Sequence, residues 1–370
     1  MTREGKTPTR PLIVALVGLV VAIGFGVKIL DGARWDPSVF VAFGDTNIPT
    51  KEFAEERLGK VYLRIGQGHD GKYFFVQAHD PLLLEPAENA SVLDRPLYRS
   101  QRMLYPLLAG GFGVFGSTGV MWGLHVVNVL ALAAGTYATA VVARQMGGSA
   151  WWGLAFALNI GLISEVNIDG AGVLAAALAF GAVAAVLSRK EAVAVALLGL
   201  SVLSREVMLV VALGVGWWLW RAGRRRLSVL SVIVPVASVG LWAMYLRLRL
   251  GWASGATEAG LAFDPPFVGL VKAIPAWLDS PLDMVAGLAV LLLLGAYLSR
   301  TLKSNALVGW AFVGFVPLTM VLSELVWRYY FDSTRAVAPM ITAFVLMVFV
   351  IEQKPLTVEP SLSELPPVGA

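Results

Sequence analysis

The sequence predicts an all-α polytopic membrane protein, and three observations predict it. Mean hydropathy is +0.71, 57% of residues are hydrophobic and only 15% are charged, values far from those of a soluble domain. Apolar runs recur along the chain from Pro11 to Ile351. Short basic loops separate many of them. The formal charge of +4 would point to an anionic partner in a soluble chain, but here the basic residues cluster between apolar runs and report orientation. Nucleic acid is therefore not implied. There is no cysteine, which excludes disulfides, thiolate nucleophiles and Cys-ligated metals.

The first run, Pro11 to Leu30, follows Arg3, Lys6 and Arg10 and begins like a signal peptide. It is longer than an ordinary signal core and lacks a small-x-small cleavage site, so an uncleaved anchor is expected. Further runs cover approximately Thr118 to Ala143, Ala150 to Ser164, Gly170 to Ser188, Ala192 to Leu203, Val207 to Trp220, Ser228 to Leu246, Met284 to Ser299, Asn305 to Ser323 and Ala336 to Ile351. That makes about ten crossings or half-crossings. If each segment returns, Arg144, Arg189 with Lys190, the Arg221 to Arg226 run, Arg300 with Lys303, and Lys354 fall beside the N-terminus. The positive-inside rule then places both termini in the cytoplasm, with a bacterial plasma membrane as the expected location. Trp151, Trp152, Trp217, Trp218 and Trp220 gather at the same boundary.

Ala192 to Leu203 supplies only about 18 Å of helix against a hydrocarbon core of about 30 Å. It must draw on flanking residues or form a re-entrant hairpin with Val207 to Trp220. Either way Arg205 and Glu206 rise toward the outer half. Two outer loops, 31–102 and 247–283, exceed ordinary connection length and are expected to be functional. In the first, Asp94 as N-cap and Pro96 predict a short surface helix over Leu97 to Tyr105, with Pro106 stopping or kinking the chain beyond it. In the second, Phe267, Val268, Val271 and Ile274 predict a surface helix ahead of Pro275. Residues 1–352 thus read as one membrane-embedded domain, and the proline-rich 353–370 as a disordered cytoplasmic tail.

The residues able to carry chemistry gather on the outer side. Arg95, Arg99 and Arg102, at helical spacing, offer guanidinium forks suited to phosphate or pyrophosphate, although the same stripe also suits lipid headgroups. Asp70 lies between Gly68 and Gly71, next to His69 and just before Tyr73, Phe74 and Phe75, a suitable place for a general base facing a sugar. The alternative is an Asx-turn with Gly71. Asp45 and Asp36 rank second as bases. Glu165 and Asp169 are expected to end and cap two helices. Arg205 with Glu206, and Glu324, Arg328, Asp332 and Arg335, emerge on the same side, either to neutralise a lipid phosphate or to pair internally. His69, His79 and His125 have no recognised zinc spacing. Asp or Glu ligation of a divalent cation stays open, with no other cofactor indicated. Asn89-Ala90-Ser91 fits a glycosylation triplet, a weak signal.

One hydrophobic anchor, then an outward loop with Asp70-Gly71-x-Tyr73-Phe74, then Arg102-Met103-Leu104-Tyr105-Pro106-Leu107, resembles the polytopic glycosyltransferases of the GT-C superfamily, in its mannosyltransferase-like branch. Ser204-Arg205-Glu206 and Arg335 before Ala-Pro extend the similarity. The resemblance implies sugar transfer from a polyprenyl-phosphate donor to a glycan, lipid or protein acceptor on the outer face, with inversion, and makes Asp70 the candidate base. With that reading, Arg99, Arg102, Arg205 and Arg335 would meet the donor phosphate. Tyr73, Phe74 and Tyr98 would stack on a sugar, with His69 and Glu206 beside them. The alternatives are a transporter or flippase, which usually needs midplane polar groups and repeated halves, or a non-catalytic scaffold.

Overall fold

The computed structural model describes residues 9–251 and 263–350. The tail expected over 353–370, the first eight residues and part of the second outer loop lie outside the described residues. Within them the chain is helical, with only isolated bridges such as Phe43 to Gly68 and Gly44 to Arg64. The helices are α1 (Thr9–Gly32), α2 (Ile48–Leu58), α3 (Gly71–His79), α4 (Pro86–Val92), α5 (Pro96–Arg99), α6 (Leu104–Gly110), α7 (Gly116–Gln145), α8 (Leu154–Ala157), α9 (Ile160–Val166), α10 (Gly172–Leu187), α11 (Glu191–Ser204), α12 (Leu209–Arg221), α13 (Arg225–Leu250), α14 (Val268–Leu278), α15 (Pro281–Ser304), α16 (Leu307–Phe312), α17 (Phe315–Met320), α18 (Glu324–Trp327) and α19 (Tyr330–Phe349).

Five helical stretches are long and apolar enough to cross a membrane: Arg10–Gly32, Leu104–Gln145, Arg225–Leu250, Pro281–Ser304 and Tyr330–Phe349. Shorter apolar helices such as α10 and α11 pack among them. Two of the expected runs are interrupted. Residues 150–164 break at Leu158, where Asn159 caps α9 through Gly161 N, and residues 305–323 break between α16 and α17. Asn159 turns its amide to Ala338 O at 2.7 Å, so the break is tied to α19.

Helix association inside lipid gains little from apolar burial and depends on close packing. The sequence meets that need with small residues. Helix α10 is mostly Ala, Val and Gly, with three Leu and Phe180, and is buried between α7 and α11. A Cβ at Gly214 would lie 2.1 Å from Trp310 O, so only glycine lets α12 and α16 touch there. Phe180 stacks on Phe312 with ring centres 4.6 Å apart. Helices α11 and α12 form a hairpin, and both pack against α13. Glu191, at the foot of α11, pairs with Arg224 at the turn between α12 and α13, which leaves Arg205 and Glu206 at the apex.

The long segment before α6 is fastened to the bundle by the far end of α13. Trp242 Nε1 donates to Ser100 O at 2.8 Å, and Arg249 Nε donates to Leu83 O at 2.8 Å. The first contact corrects the expected helix over Leu97 to Tyr105. Ser100 O is taken by an indole, α5 ends at Arg99, and the chain restarts as α6 at Leu104, with Pro106 tolerated in its first turn. In α14 the helix runs through Pro275 rather than ending before it, with Val271, Ile274 and Leu278 exposed.

Candidate functional site

Asp70 is the residue before α3, and its side chain makes no capping bond. The Asx-turn alternative is therefore not what holds it. Its carboxylate instead accepts from Arg99 Nη1 at 3.0 Å through Oδ1 and from Arg102 Nη1 at 3.3 Å through Oδ2. Gly68, at φ +69°, supplies a left-handed turn just upstream. Gly71 has a different reason to be glycine. A Cβ there would sit 2.4 Å from Ile168 O and 2.6 Å from Val41 O. The Asp-Gly pair thus sets α3 directly against the backbone of the α9 to α10 connection.

Each arginine is aimed by a second carboxylate. Arg99 gives Nε and Nη2 to Asp94 at 2.8 and 3.0 Å. Arg102 gives Nε and Nη2 to Glu206 at 3.2 and 3.3 Å, with Nη2 also donating to Tyr98 Oη at 3.2 Å. Asp94 is accordingly not the expected helix cap, a position Arg95 occupies with its backbone. Arg95 stays on the rim, 3.7 Å from Asp94 and over the Tyr98 ring, because the helix ends too early for one arginine face to form.

Behind this lies a second group. Glu165 Oε1 accepts from Arg205 Nη1 and from Arg335 Nε, each at 3.1 Å. Its other oxygen accepts from Gly172 N at 3.2 Å. Arg335 Nη1 donates to Asp332 Oδ1 at 2.9 Å. The expectation that Glu165 merely ends a helix is corrected: it is a buried acceptor shared by two arginines from distant segments. Asp169 is also no cap. It is fully buried at φ +45°, with Oδ1 3.5 Å from His125 Nδ1. Arg328 stays exposed over Tyr329.

Asp70, Tyr73, Phe74, Gln77, Tyr98, Arg99 and Arg102 line a small, narrow cleft of about 10 Å³. Tyr73 and Phe74 are buried and form its floor. The Arg99 guanidinium lies 3.9 Å from the centre of the Tyr73 ring, and Phe74 meets Tyr105 edge-on. Tyr98 is half-buried at the side. His69 lies beside the group, its ring 5.3 Å from that of Phe331. Asp45 and Asp36 lie outside the cleft lining. Asp45 accepts from Gly66 N at 2.8 Å, and Asp36 caps a short turn through Ser38 N at 3.0 Å.

Burial would push the Asp70 carboxyl up, but Arg102 and Arg99, with Arg335 and Arg205 behind them, outweigh it and hold the group well below the usual carboxylate range. Asp70 is therefore an anion at neutral pH. Burial, with Arg335 and Arg64 adding to it, lowers His69 to about 4, leaving a neutral imidazole. Lys72, 2% exposed, is pushed down to about 8 by burial and by Arg99; its ammonium donates to Gln67 O.

Such a site can hold an anion on two Nη1 donors, orient a polar ring over aromatic carbon, and offer a carboxylate to a nearby proton. Among the described residues no group of three or more His, Asp or Glu side chains is arranged to hold a metal ion. Sequence reading brought Asp70, Arg99, Arg102, Arg205, Glu206 and Arg335 forward. It missed Lys72, whose place just before an aromatic run was the available signal, and the orienting role of Asp94. Asn89 of the glycosylation triplet is 3% exposed and donates to Asp80 O at 3.3 Å, so it belongs to the packing. No protein-family model, curated protein or solved structure matches this chain.

Proposed function

We propose that this protein is an integral-membrane glycosyltransferase of the GT-C kind, moving a hexose or pentose from a polyprenyl-phosphate donor to a glycan, lipid or protein acceptor on the extracytoplasmic face, with inversion. The chain then makes about ten passages or half-passages of a bacterial plasma membrane, with both termini cytoplasmic. The prenyl chain lies between helices among membrane lipids. One observation carries the reading: Asp70, Arg99 and Arg102 meet Glu206 of the α11 to α12 apex around an aromatic-floored cleft, at one end of an otherwise apolar bundle.

In the proposed step the acceptor oxygen attacks the anomeric carbon as the bond from that carbon to the phosphate oxygen breaks. The acceptor proton passes to the Asp70 carboxylate, and the electron pair of the broken bond goes to the phosphate. Arg99 and Arg102 meet the charge growing there, with Arg205 and Arg335 adding a positive field from behind. Tyr98 flanks the sugar over the floor formed by Tyr73 and Phe74, with His69 and Glu206 at its edges. A divalent cation would be an addition to this scheme, and no step here depends on one.

The test is a panel of polyprenyl-phosphate sugars offered to purified, reconstituted protein with mixed acceptors, assayed for free polyprenyl phosphate. The reading predicts release with at least one donor. Donor movement across the bilayer with no release would indicate a flippase instead.

A further inference from the structure

A second and larger cavity opens at the opposite end of α3 from Asp70. It measures about 260 Å³, against about 10 Å³ for the cleft. Asp70 and Asp80 bracket α3 and stand about 15 Å apart at helical rise, so the cavity lies outside the proposed transfer chemistry. Phe53, Val76 and Leu84 supply the apolar part of its lining.

The polar part offers acceptors and no free donor. His79 spends both ring nitrogens: Nδ1 donates to Phe75 O at 2.8 Å, and Nε2 accepts from Ser117 Oγ at 3.0 Å. Burial lowers its pKa, so the ring is uncharged at neutral pH. Asp80 accepts from Leu84 N through Oδ1 and from Glu85 N through Oδ2, each at 2.7 Å, which leaves a further lone pair on each oxygen. Glu88 pairs with Arg57. Glu85 is exposed and makes no side-chain hydrogen bond or ion pair among the described residues. Asn89 is the most telling member of the wall. It is 3% exposed, its Nδ2 donates to Asp80 O, and its Oδ1 accepts from no group of the chain. An acceptor on so buried a side chain calls for a donor from outside the chain.

Charge narrows the ligand further. Two guanidiniums stand close by, and neither lines the cavity. Arg57 lies over the Phe53 ring and is shared by Glu56 and Glu88, while Arg249 is held by Leu83 O and Leu84 O. Against these two stand the four carboxylates of Glu56, Asp80, Glu85 and Glu88, an excess of two negative charges. An anion would be repelled, and a neutral polyol would leave the excess unmatched. A bare metal ion needs oxygens closing to about 2.0–2.6 Å, and among the described residues no three His, Asp or Glu side chains are arranged that way. An ammonium group has three donors, no acceptor and the required charge.

We infer that this cavity binds a small organic diamine, its ammonium groups taken by Glu85, Asp80 and Asn89 Oδ1 and its carbon chain lying on Phe53 and Leu84. The site is independent of the transferase reading, and its test measures binding alone. Full-length protein in non-ionic detergent is titrated calorimetrically, at constant ionic strength and neutral pH, with 1,4-diaminobutane, 1-aminobutane and 1,4-butanediol. The diamine should bind at least about tenfold more tightly than the monoamine, and the diol, of the same shape without charge, more weakly still. Glu85→Gln should weaken the diamine by at least about tenfold, and it keeps its fold because the side chain it alters is exposed and without a partner. Glu52→Gln, at an exposed carboxylate of α2 outside the lining, should leave binding unchanged. A diol or monoamine that binds as tightly as the diamine overturns the inference. So does undiminished diamine binding by Glu85→Gln, or an equal loss in Glu52→Gln, which would reduce the effect to general surface attraction.

Discussion

Arg335 donates through Nε to Glu165 Oε1 at 3.1 Å, across 170 positions of sequence. The same oxygen accepts from Arg205 at the same distance. One carboxylate thus binds α19 and the α11 to α12 apex to the end of α9, and the site behind Asp70 depends on it. Removing one member of a buried charged set leaves the others uncompensated. Glu165→Gln should cost about 3 kcal/mol of stability, read by thermal or chemical unfolding in detergent. A loss below about 1 kcal/mol would show the set to be dispensable.

Gly71 approaches Ile168 O and Val41 O too closely for any side chain. Because both obstacles are backbone, Gly71→Ala must shift α3 rather than a neighbouring rotamer, at a cost of about 2 kcal/mol. The shift would also move Asp70 off Arg99 and Arg102. The check is a paired measurement of melting temperature and donor turnover. Gly59→Ala, at φ +75° with open space around it, should lose some stability and keep turnover.

Much of this arrangement could be read in the sequence, for identifiable reasons. Apolar runs and basic loops placed Asp70, Arg99, Arg102, Arg205, Glu206 and Arg335 on one side, and these residues do share one end of the bundle. Glu165 could not be read, because its partners come from chain segments 40 and 170 residues away. The same limit hid the end of α5, which depends on the Trp242 indole reaching Ser100 from α13. Asp94 was misread because a carboxylate two residues before Pro96 looks alike whether it caps a helix or grips an arginine.

Lys72 gives a pH signature with a defined sign. Its folded value is about 8 and its ordinary value 10.5, so between those limits the unfolded chain binds the additional proton and stability rises with pH. The gain should approach about 3 kcal/mol at the top of the window, with the penalty for a buried ammonium fully present below pH 8. Unfolding measured from pH 7 to 10.5 should show this rise in wild type and lose it in Lys72→Met. A flat wild-type profile would contradict the burial argument.

The absence of cysteine makes orientation measurable without background. Ile65 is 97% exposed on the first long loop, and Ala222 is exposed at the turn between α12 and α13. Ile65→Cys should react with a membrane-impermeant maleimide in intact cells. Ala222→Cys should react only after permeabilisation. The reverse pattern would put the cleft on the cytoplasmic side and remove the proposed setting for chemistry.

The most direct measurement is single-turnover release of polyprenyl phosphate by reconstituted wild type, Asp70→Asn and Asp45→Asn under the same conditions. Wild type and Asp45→Asn should turn over at similar rates, while Asp70→Asn falls by at least about a hundredfold with its fold intact. Undiminished release by Asp70→Asn, or loss confined to Asp45→Asn, would contradict the assignment of the cleft around Asp70 as the seat of the reaction.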